Sequence, residues 1–456
     1  MTDTGSTARS KFVSLHDRMV TALAAWLTPK RLQIYPAVLI LSSFIVQLWL
    51  SLLAARSGTP FWLTIGQDFK GYYTGGRFFV DDRMTELYDF EAQKEFQEDL
   101  AIPGNGLLAF IHPPFTVILW APFALGDYVR GLWLWWACGL GLLILSVYLL
   151  HKTLALPQAA SAGRLVFLPF LFLMGLTWFL YGQNTPLTVL LYTLTFLLLR
   201  RGQDMASGIA LGLLLYKPQL TIPLGIVMIV KRRWRALLGV ALSAGLWGAI
   251  GFSLSPAAMI QYSQVSPRVF DFLLDTQQPD SKAWAVHTAY VFARLLLGGL
   301  WPEAAAVLGT GLAVSGALIV ALVWRRVDWK PGTRAWDLKF AATLALGLLI
   351  VPYVFVYDLM LLLLPLAIAW SHYPRGAGDR PLDGGPLLAW TILLFGAIFA
   401  SGHLAAAQLS LCDLLGLPRM AVQLSVPVIA GWAWTLSRLA HEPAGATAAR
   451  QVGHGA

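Results

Sequence analysis

The stretch Met205–Val230 reads MASGIALGLLLYKPQLTIPLGIVMIV and lies between Arg200-Arg201 and Lys231-Arg232-Arg233-Trp234-Arg235. It contains two apolar arms, 205–216 and 219–230, of 12 residues each, divided by Lys217-Pro218. Each arm makes about 18 Å of helix at 1.5 Å per residue, whereas a full crossing of the hydrocarbon needs about 30 Å. Yet basic residues stand at both ends of the pair, and such residues collect in cytoplasmic loops. The geometry that satisfies both facts is a broken hairpin whose tip, Tyr216-Lys217-Pro218-Gln219, stops below the outer surface. Non-helical backbone at that depth must be buried in protein or line a wet cavity. The stretch therefore implies a helical membrane bundle with an outward-facing polar cavity at Lys217.

The rest of the chain has the same character. Of its 456 residues, 57% are apolar and 12% charged, against roughly 25% charged in ordinary soluble domains. Apolar runs lie near 34–55, 107–125, 131–150, 165–181, 186–200, 205–216, 219–230, 236–253, 303–324, 338–354, 357–371, 386–403 and 420–438. Long runs of this kind are the mark of transmembrane helices. The 19 Trp and 14 Tyr gather near run ends, as in interfacial belts. The net charge of +9 fits basic cytoplasmic loops and requires no nucleic-acid partner.

Lys152/Arg164, Arg200/Arg201, Lys231–Arg235, Arg325/Arg326 and Arg375/Arg380 fall on one side if 107–125 does not cross. That segment contains His112-Pro113-Pro114, and its paired prolines remove backbone donors and restrict the residues before them. It is expected to dip into the bilayer or lie on its surface. The expected fold is all-α: a polytopic transmembrane bundle of about 12 spans over 34–438, with both termini inside. A cytoplasmic segment 1–33 precedes it and a flexible cytoplasmic tail 439–456 follows. Met1–Arg31 has no small-residue cleavage site after a short apolar core, so the first run is expected to stay as an anchor. Cys138 and Cys412 leave one disulfide open, and no metal framework is visible.

Two long outer segments, Arg56–Arg130 and Leu254–Pro302, stand opposite the basic loops on this topology. Polar side chains collect on their side in four groups. These are Gly66-Gln67-Asp68-Phe69 with Tyr72, Tyr73 and Arg77; His112-Pro113-Pro114; Tyr181-Gly182-Gln183-Asn184 with Lys217-Pro218; and Pro352-Tyr353 with Tyr357-Asp358. An acid, cations and amides together suit transfer between a phosphate-linked donor and a hydroxyl acceptor. A carboxylate takes the acceptor proton, and cations hold the phosphate as its bond breaks.

Each residue also has a plainer reading. Asp68 fits a solvated loop, and His112 fits an interfacial aromatic. Asn184 fits a cap ahead of Pro186, and Asp358 a cap for the next helix. His287 and Arg294, seven apart, could share a helical face at headgroup level. Lys217 is the outlier, because a charge inside an apolar hairpin costs several kcal/mol unless paired or hydrated.

The order of these pieces resembles glycosyltransferase family 87, typified by polyprenol-phosphate-mannose-dependent mannosyltransferases. The matching residues begin with Asp68-Phe69, Tyr72 or Tyr73, and Leu87-Tyr88-Asp89. They continue through His112-Pro113-Pro114-Phe115, Pro122, Gly182-Gln183-Asn184, and Gly208 and Gly212 before Lys217-Pro218. Arg232-Arg233-Trp234-Arg235, Pro352-Tyr353 and Tyr357-Asp358-Leu359 complete the series. Some members carry a Ser-Trp-His motif before a late helix. Here that stretch reads Val351-Pro352-Tyr353-Val354-Phe355-Val356-Tyr357-Asp358, so no catalytic histidine carries over.

The resemblance implies a GT-C fold with a large first outer loop and re-entrant or juxtamembrane helices. It also implies inverting transfer from a lipid-phosphate sugar, with Asp68 as base. The expected activity moves a hexose, mannose first, from a polyprenyl-phosphate sugar to a hydroxyl of an envelope lipid or glycan. It would act on the outer face of a bacterial inner membrane, among membrane lipids. Lys217, His112 and Arg294 are expected at the donor phosphate. Gln67, Tyr72, Tyr73, Gln183, Asn184, Tyr357 and Asp358 are expected around the sugar and acceptor. Phosphate neutralised by cations already leaves well, so neither metal nor cofactor is expected. The alternative is a transporter or flippase of lipid-linked or sugar substrates, where broken helices are common. The long acidic-aromatic outer loop and the lack of an internal repeat argue against it.

Overall fold

The computed structural model describes residues 65–100, 107–154, 174–278, 282–372 and 385–441, with seven helical positions between 34 and 52. The expected cytoplasmic segment 1–33 and nearly all of the tail lie outside the described residues. Among those described the chain is helical, and its one extended pairing is a bridge between Val286 and Phe355.

The segment expected to be the first outer loop forms α1 (Phe69–Val80), α2 (Phe90–Asp99) and α3 (Val117–Ala124). Asp89 caps α2 by accepting from the Glu91 and Ala92 amides at 3.0 and 3.2 Å. The prolines of His112-Pro113-Pro114 shorten the apolar run that follows. Only a 3₁₀ turn, Pro114–Thr116, and the 8 residues of α3 remain, about 16 Å of helix and too short to cross. This arm lies along α1 instead. A Cβ on Gly76 would stand 2.9 Å from the Trp120 backbone, and one on Gly75 2.3 Å from the Phe110 ring. The small residues of α1 are what let the arm approach.

The bundle continues with α4 (Tyr128–Thr153), α5 (described over 174–181), α6 (Thr185–Arg200) and α7 (Asp204–Gly212). Two 3₁₀ turns, Leu213–Tyr216 and Pro218–Thr221, lead to α8 (Ile222–Val230) and α9 (Trp234–Leu254). The broken hairpin is thus present, with Lys217 between the two turns. Its first arm meets α9 almost backbone to backbone. A Cβ on Gly208 would lie 1.9 Å from the Ala236 carbonyl oxygen, and one on Gly212 2.5 Å from Ser243 Cβ. This is the small-xxx-small packing that membrane helices use.

The segment expected to be the second outer loop holds α10 (Pro256–Leu274) and α11 (Ala289–Leu297). Then come α12 (Pro302–Arg325), α13 (Arg334–Ile350), a 3₁₀ stretch Val356–Leu362, α14 (Leu363–Ser371), α15 (Gly385–Leu415) and α16 (Ser425–Leu439). Helix α15 runs well beyond the expected end at 403. Its apolar run gives way to Ala, Leu and Gln, which remain good helix formers. Gly416, at φ +60°, supplies the left-handed residue that closes it. Among the described residues four helices are long and apolar enough to cross a membrane: Tyr128–Thr153, Trp234–Leu254, Pro302–Arg325 and Ala389–Leu415.

The bundle has two chemically distinct ends. At one, Arg200 pairs with Asp337 at 3.2 Å, Arg233 with Asp204, and Lys231 donates to the Val327 carbonyl. At the other, Thr185 meets Asp358 at 3.4 Å. Helix α6 joins Thr185 to Arg200 and separates the ends by about 24 Å. Both ends of the broken hairpin lie at the basic end, and its tip lies at the other.

Candidate functional site

The site is built on a contact between two glycines. Gly66 and Gly182 take φ of +69° and +70°, a region that L side chains rarely adopt. A Cβ on Gly182 would lie 2.8 Å from Gly66 Cα. Across this contact the Gly66 amide donates to the Leu180 carbonyl at 2.7 Å and the Asp68 amide to the Tyr181 carbonyl at 2.9 Å. The indoles of Trp135 and Trp178 donate to the carbonyls of Gly182 and Gln183 at 2.8 and 2.7 Å. So fixed, Gln183 bridges two groups. Its Nε2 donates to Asp68 Oδ2 at 2.7 Å, and its Oε1 accepts from the Tyr72 hydroxyl at 2.6 Å.

Asp68 is enclosed by protein yet keeps partial exposure. Burial pushes its carboxyl above the usual range, and the Gln183 hydrogen bond, Lys282 and Lys217 partly oppose the rise. No described cation forms a salt bridge with it. Gln67, His112 and Tyr357 are half-buried and Tyr181 is exposed beside it.

His112 ends an extended strand-like segment held by the amides of α2. Gln93 accepts from the Phe110 amide at 2.7 Å, and Gln97 both accepts from the Leu108 amide and donates to its carbonyl, at 3.1 and 2.9 Å. The Tyr88 hydroxyl donates to the His112 carbonyl at 2.5 Å, and the imidazole stacks on Tyr72 with centroids 5.1 Å apart. Burial, helped by Lys217, pushes its pKa down to about 3. His112 is therefore neutral at physiological pH, and its single N–H is directed at the Tyr216 backbone carbonyl, which leaves an acceptor nitrogen and no positive charge.

Lys217 Nζ lies 2.6 Å from Asp358 Oδ1, with the two side chains 6% and 3% exposed. Asp358 sits in the first turn of Val356–Leu362 and caps nothing. The Tyr357 ring lies 5.5 Å from Lys217 Nζ and 5.7 Å from the Tyr181 ring. The site thus holds two carboxylates in opposite states, one neutralised by a lysine and one held only by an amide.

Two buried amides beside them keep polar atoms without a partner among the described residues. Asn184 has neither side-chain group hydrogen-bonded and makes no cap bond, although it occupies the cap position of α6. Gln219 engages Tyr353 but its Nε2 has no partner. Helix α6 explains their proximity. Thr188 bonds Tyr216 at 2.7 Å, and Tyr192 bonds the Leu220 carbonyl, so the row 184, 188, 192 faces the hairpin tip. Unpaired buried amides are uncommon in proteins and call for an explanation.

Other expected residues lie elsewhere. Tyr73 turns away, its hydroxyl on the Gly126 carbonyl at 2.9 Å and its ring against Tyr128. Arg294 faces Asp275 at 4.0 Å and Tyr290, and is not among the charges acting on Asp68. His287 precedes α11 rather than sharing its face, and bonds Ser425 at 2.7 Å. Lys282 carried no sequence signal, being one basic residue in a long loop, and Gln219 stood out only as part of the hairpin tip. Cys138 and Cys412 are both free. No group of three or more His, Cys, Asp or Glu able to hold a metal occurs among the described residues.

No curated protein and no solved structure matches this chain. The family model for glycosyltransferase family 87 matches residues 110–352. That stretch carries His112, Gln183, Asn184 and Lys217 of the site, and it is just over half of the chain. The protein belongs to glycosyltransferase family 87 and is a membrane glycosyltransferase.

Proposed function

We propose that this chain transfers a hexose, mannose first among candidates, from a polyprenyl-phosphate sugar to a hydroxyl of a cell-envelope lipid or glycan. It does so with inversion, on the outer side of a bacterial inner membrane, within a GT-C type bundle of about 12 spans. The observation that carries this reading is the contrast between the two carboxylates. Asp358 is neutralised by Lys217, whereas Asp68 has a raised affinity for protons and keeps partial exposure. A general base needs that combination.

In this reading the acceptor hydroxyl approaches Asp68, which takes its proton as the oxygen attacks the anomeric carbon. The bond from that carbon to the phosphate oxygen breaks, and its electron pair leaves with the polyprenyl phosphate. The leaving phosphate gains a negative charge. Lys217 keeps two of its three ammonium hydrogens for that charge. Gln183 orients Asp68, and Asn184 and Gln219 offer their unpaired amides to sugar hydroxyls. Arg294 and Tyr73 have no part in this version. The membrane side of the site takes the isoprenoid tail. The basic loops gathered at the opposite end support the outward orientation.

The test uses purified protein in detergent, where no sealed compartment exists and transport cannot be scored. Polyprenyl-phosphate-mannose should give sugar transfer to an envelope lipid extract, and nucleotide-mannose should not. Transfer from the nucleotide sugar alone would defeat the donor assignment.

A further inference from the structure

Gln183 stands between a phenol and an acid, and its two ends are not interchangeable. Its Oε1 accepts from the Tyr72 hydroxyl at 2.6 Å, and its Nε2 donates to Asp68 Oδ2 at 2.7 Å. A primary amide can turn over, exchanging its oxygen and nitrogen in nearly the same space. Turned over, it would face Asp68 with Oε1, which suits a protonated carboxyl and repels a carboxylate. The direction of the amide therefore bears on whether Asp68 is ready to take a proton.

Tyr72 is held where it can decide that direction. Its side chain is 2% exposed, and its ring packs against His112, Trp120 and Trp135 with centroids 5.1, 4.9 and 5.3 Å away. Two residues on in α1, Thr74 Oγ1 accepts from Gln97 Nε2 at 3.0 Å. The backbone of Gln183 is tied in turn, its carbonyl accepting from the Trp178 indole at 2.7 Å. Among the described residues, Gln183 Oε1 is the acceptor for the Tyr72 hydrogen. With the amide turned over, O–H would meet N–H, and a buried hydroxyl left without its acceptor is costly. The other oxygen of Asp68 is left open. The residue precedes α1, but its side chain makes no cap bond.

We propose that Tyr72 is a positioning residue: its hydroxyl holds the Gln183 amide with the nitrogen toward Asp68. Oδ2 is then occupied by the amide, Oδ1 is left to take the acceptor proton, and the charged base is favoured. This role rests on the reading of Asp68 as the base, and it replaces the contact with sugar expected of Tyr72. The charged groups acting on Asp68 are Lys217 on the hairpin tip and Lys282 ahead of α11, and Tyr128, Tyr181 and Tyr357 feel its charge. The variants that test the role leave all five in place.

The experiment follows kcat/KM against pH for the purified full chain, with polyprenyl-phosphate-mannose and an envelope lipid extract. Tyr72→Phe keeps the ring and should raise the midpoint of the acid limb by about half to one pH unit, the worth of one neutral hydrogen bond. Its donor KM should stay near that of wild type. Gln183→Leu takes the amide donor from the carboxylate and should raise the midpoint at least as far. The double variant should stop where Gln183→Leu stops, because Tyr72 acts only through the amide. 3-Fluorotyrosine at position 72 is a stronger donor and should move the limb to lower pH, which serves if Tyr72→Phe fails to fold. An unmoved limb in Tyr72→Phe, or an equal added shift in the Gln183→Leu background, would overturn the role. Loss of the limb in Asp68→Asn beside an unmoved limb in Tyr72→Phe would overturn this inference and spare the base. A limb that persists in Asp68→Asn would overturn both.

Discussion

Replacing Asp68 with Asn removes a base while conserving shape. The amide oxygen of Asn can still accept from Gln183 Nε2, which now bonds Asp68 Oδ2 at 2.7 Å. The variant should therefore fold and bind the polyprenyl-phosphate donor. Turnover should fall by about 10²–10⁴-fold, the usual worth of a positioned general base, or about 3–5 kcal/mol in the barrier. The pH dependence gives an independent reading. Burial raises the Asp68 carboxyl, so wild-type kcat/KM should decline on acidification at a higher pH than an ordinary carboxylate would produce, and Asp68→Asn should lose that limb.

Stability should move the other way. A carboxyl whose folded pKa lies above its unfolded value favours the folded state while protonated. That contribution is lost as pH rises from the unfolded value through the folded one. Above this window the Asn variant should be at least as stable as wild type by thermal unfolding. Near-normal turnover in Asp68→Asn, with loss in Asp358→Asn, would move the base to the late segment and refute the reasoning.

Lys217→Ala should destabilise the fold as well as impair donor use. It leaves Asp358 charged and 3% exposed, and breaking a buried pair costs about 3–5 kcal/mol; the double variant Lys217→Gln/Asp358→Asn should recover the unfolding midpoint but not turnover. Asn184→Ala should leave thermal stability unchanged or higher, because its amide has no protein partner to lose, while the preference for the native donor over a deoxy analogue narrows; unchanged discrimination would remove Asn184 from sugar recognition. Arg130→Cys in a chain lacking Cys138 and Cys412 should react with an impermeant thiol reagent from outside, since Arg130 is 82% exposed at the start of α4; labelling only from the cytoplasm would defeat the outward orientation.

Much of the site was legible because its parts are local. Lys217 between two short arms announced the broken hairpin, and the double proline at Pro113 announced an arm that does not cross. Gly182 was quoted only within its polar group, and the left-handed turn it makes against Gly66 appears in the structure. Distant pairings were hidden. Lys217 and Asp358 lie 141 residues apart, so the sequence could not say whether Asp358 capped a helix or met a cation. Tyr72 and Tyr73 were indistinguishable until α1 formed, because consecutive helical residues point about 100° apart. Gln93 and Gln97 read as ordinary surface residues of an amphipathic helix, yet their amides satisfy the backbone that carries His112. Arg294 was expected at the phosphate by its charge, and the fold of α11 sets it 4.0 Å from Asp275.

The most direct test is the anomeric configuration of the product, read by NMR of material made by the purified protein from polyprenyl-phosphate-mannose of defined anomer. A single displacement, with Asp68 removing the acceptor proton, predicts a product of wholly inverted configuration. A product of retained configuration would require a covalent glycosyl-enzyme intermediate or an internal return, and would contradict the role given to Asp68.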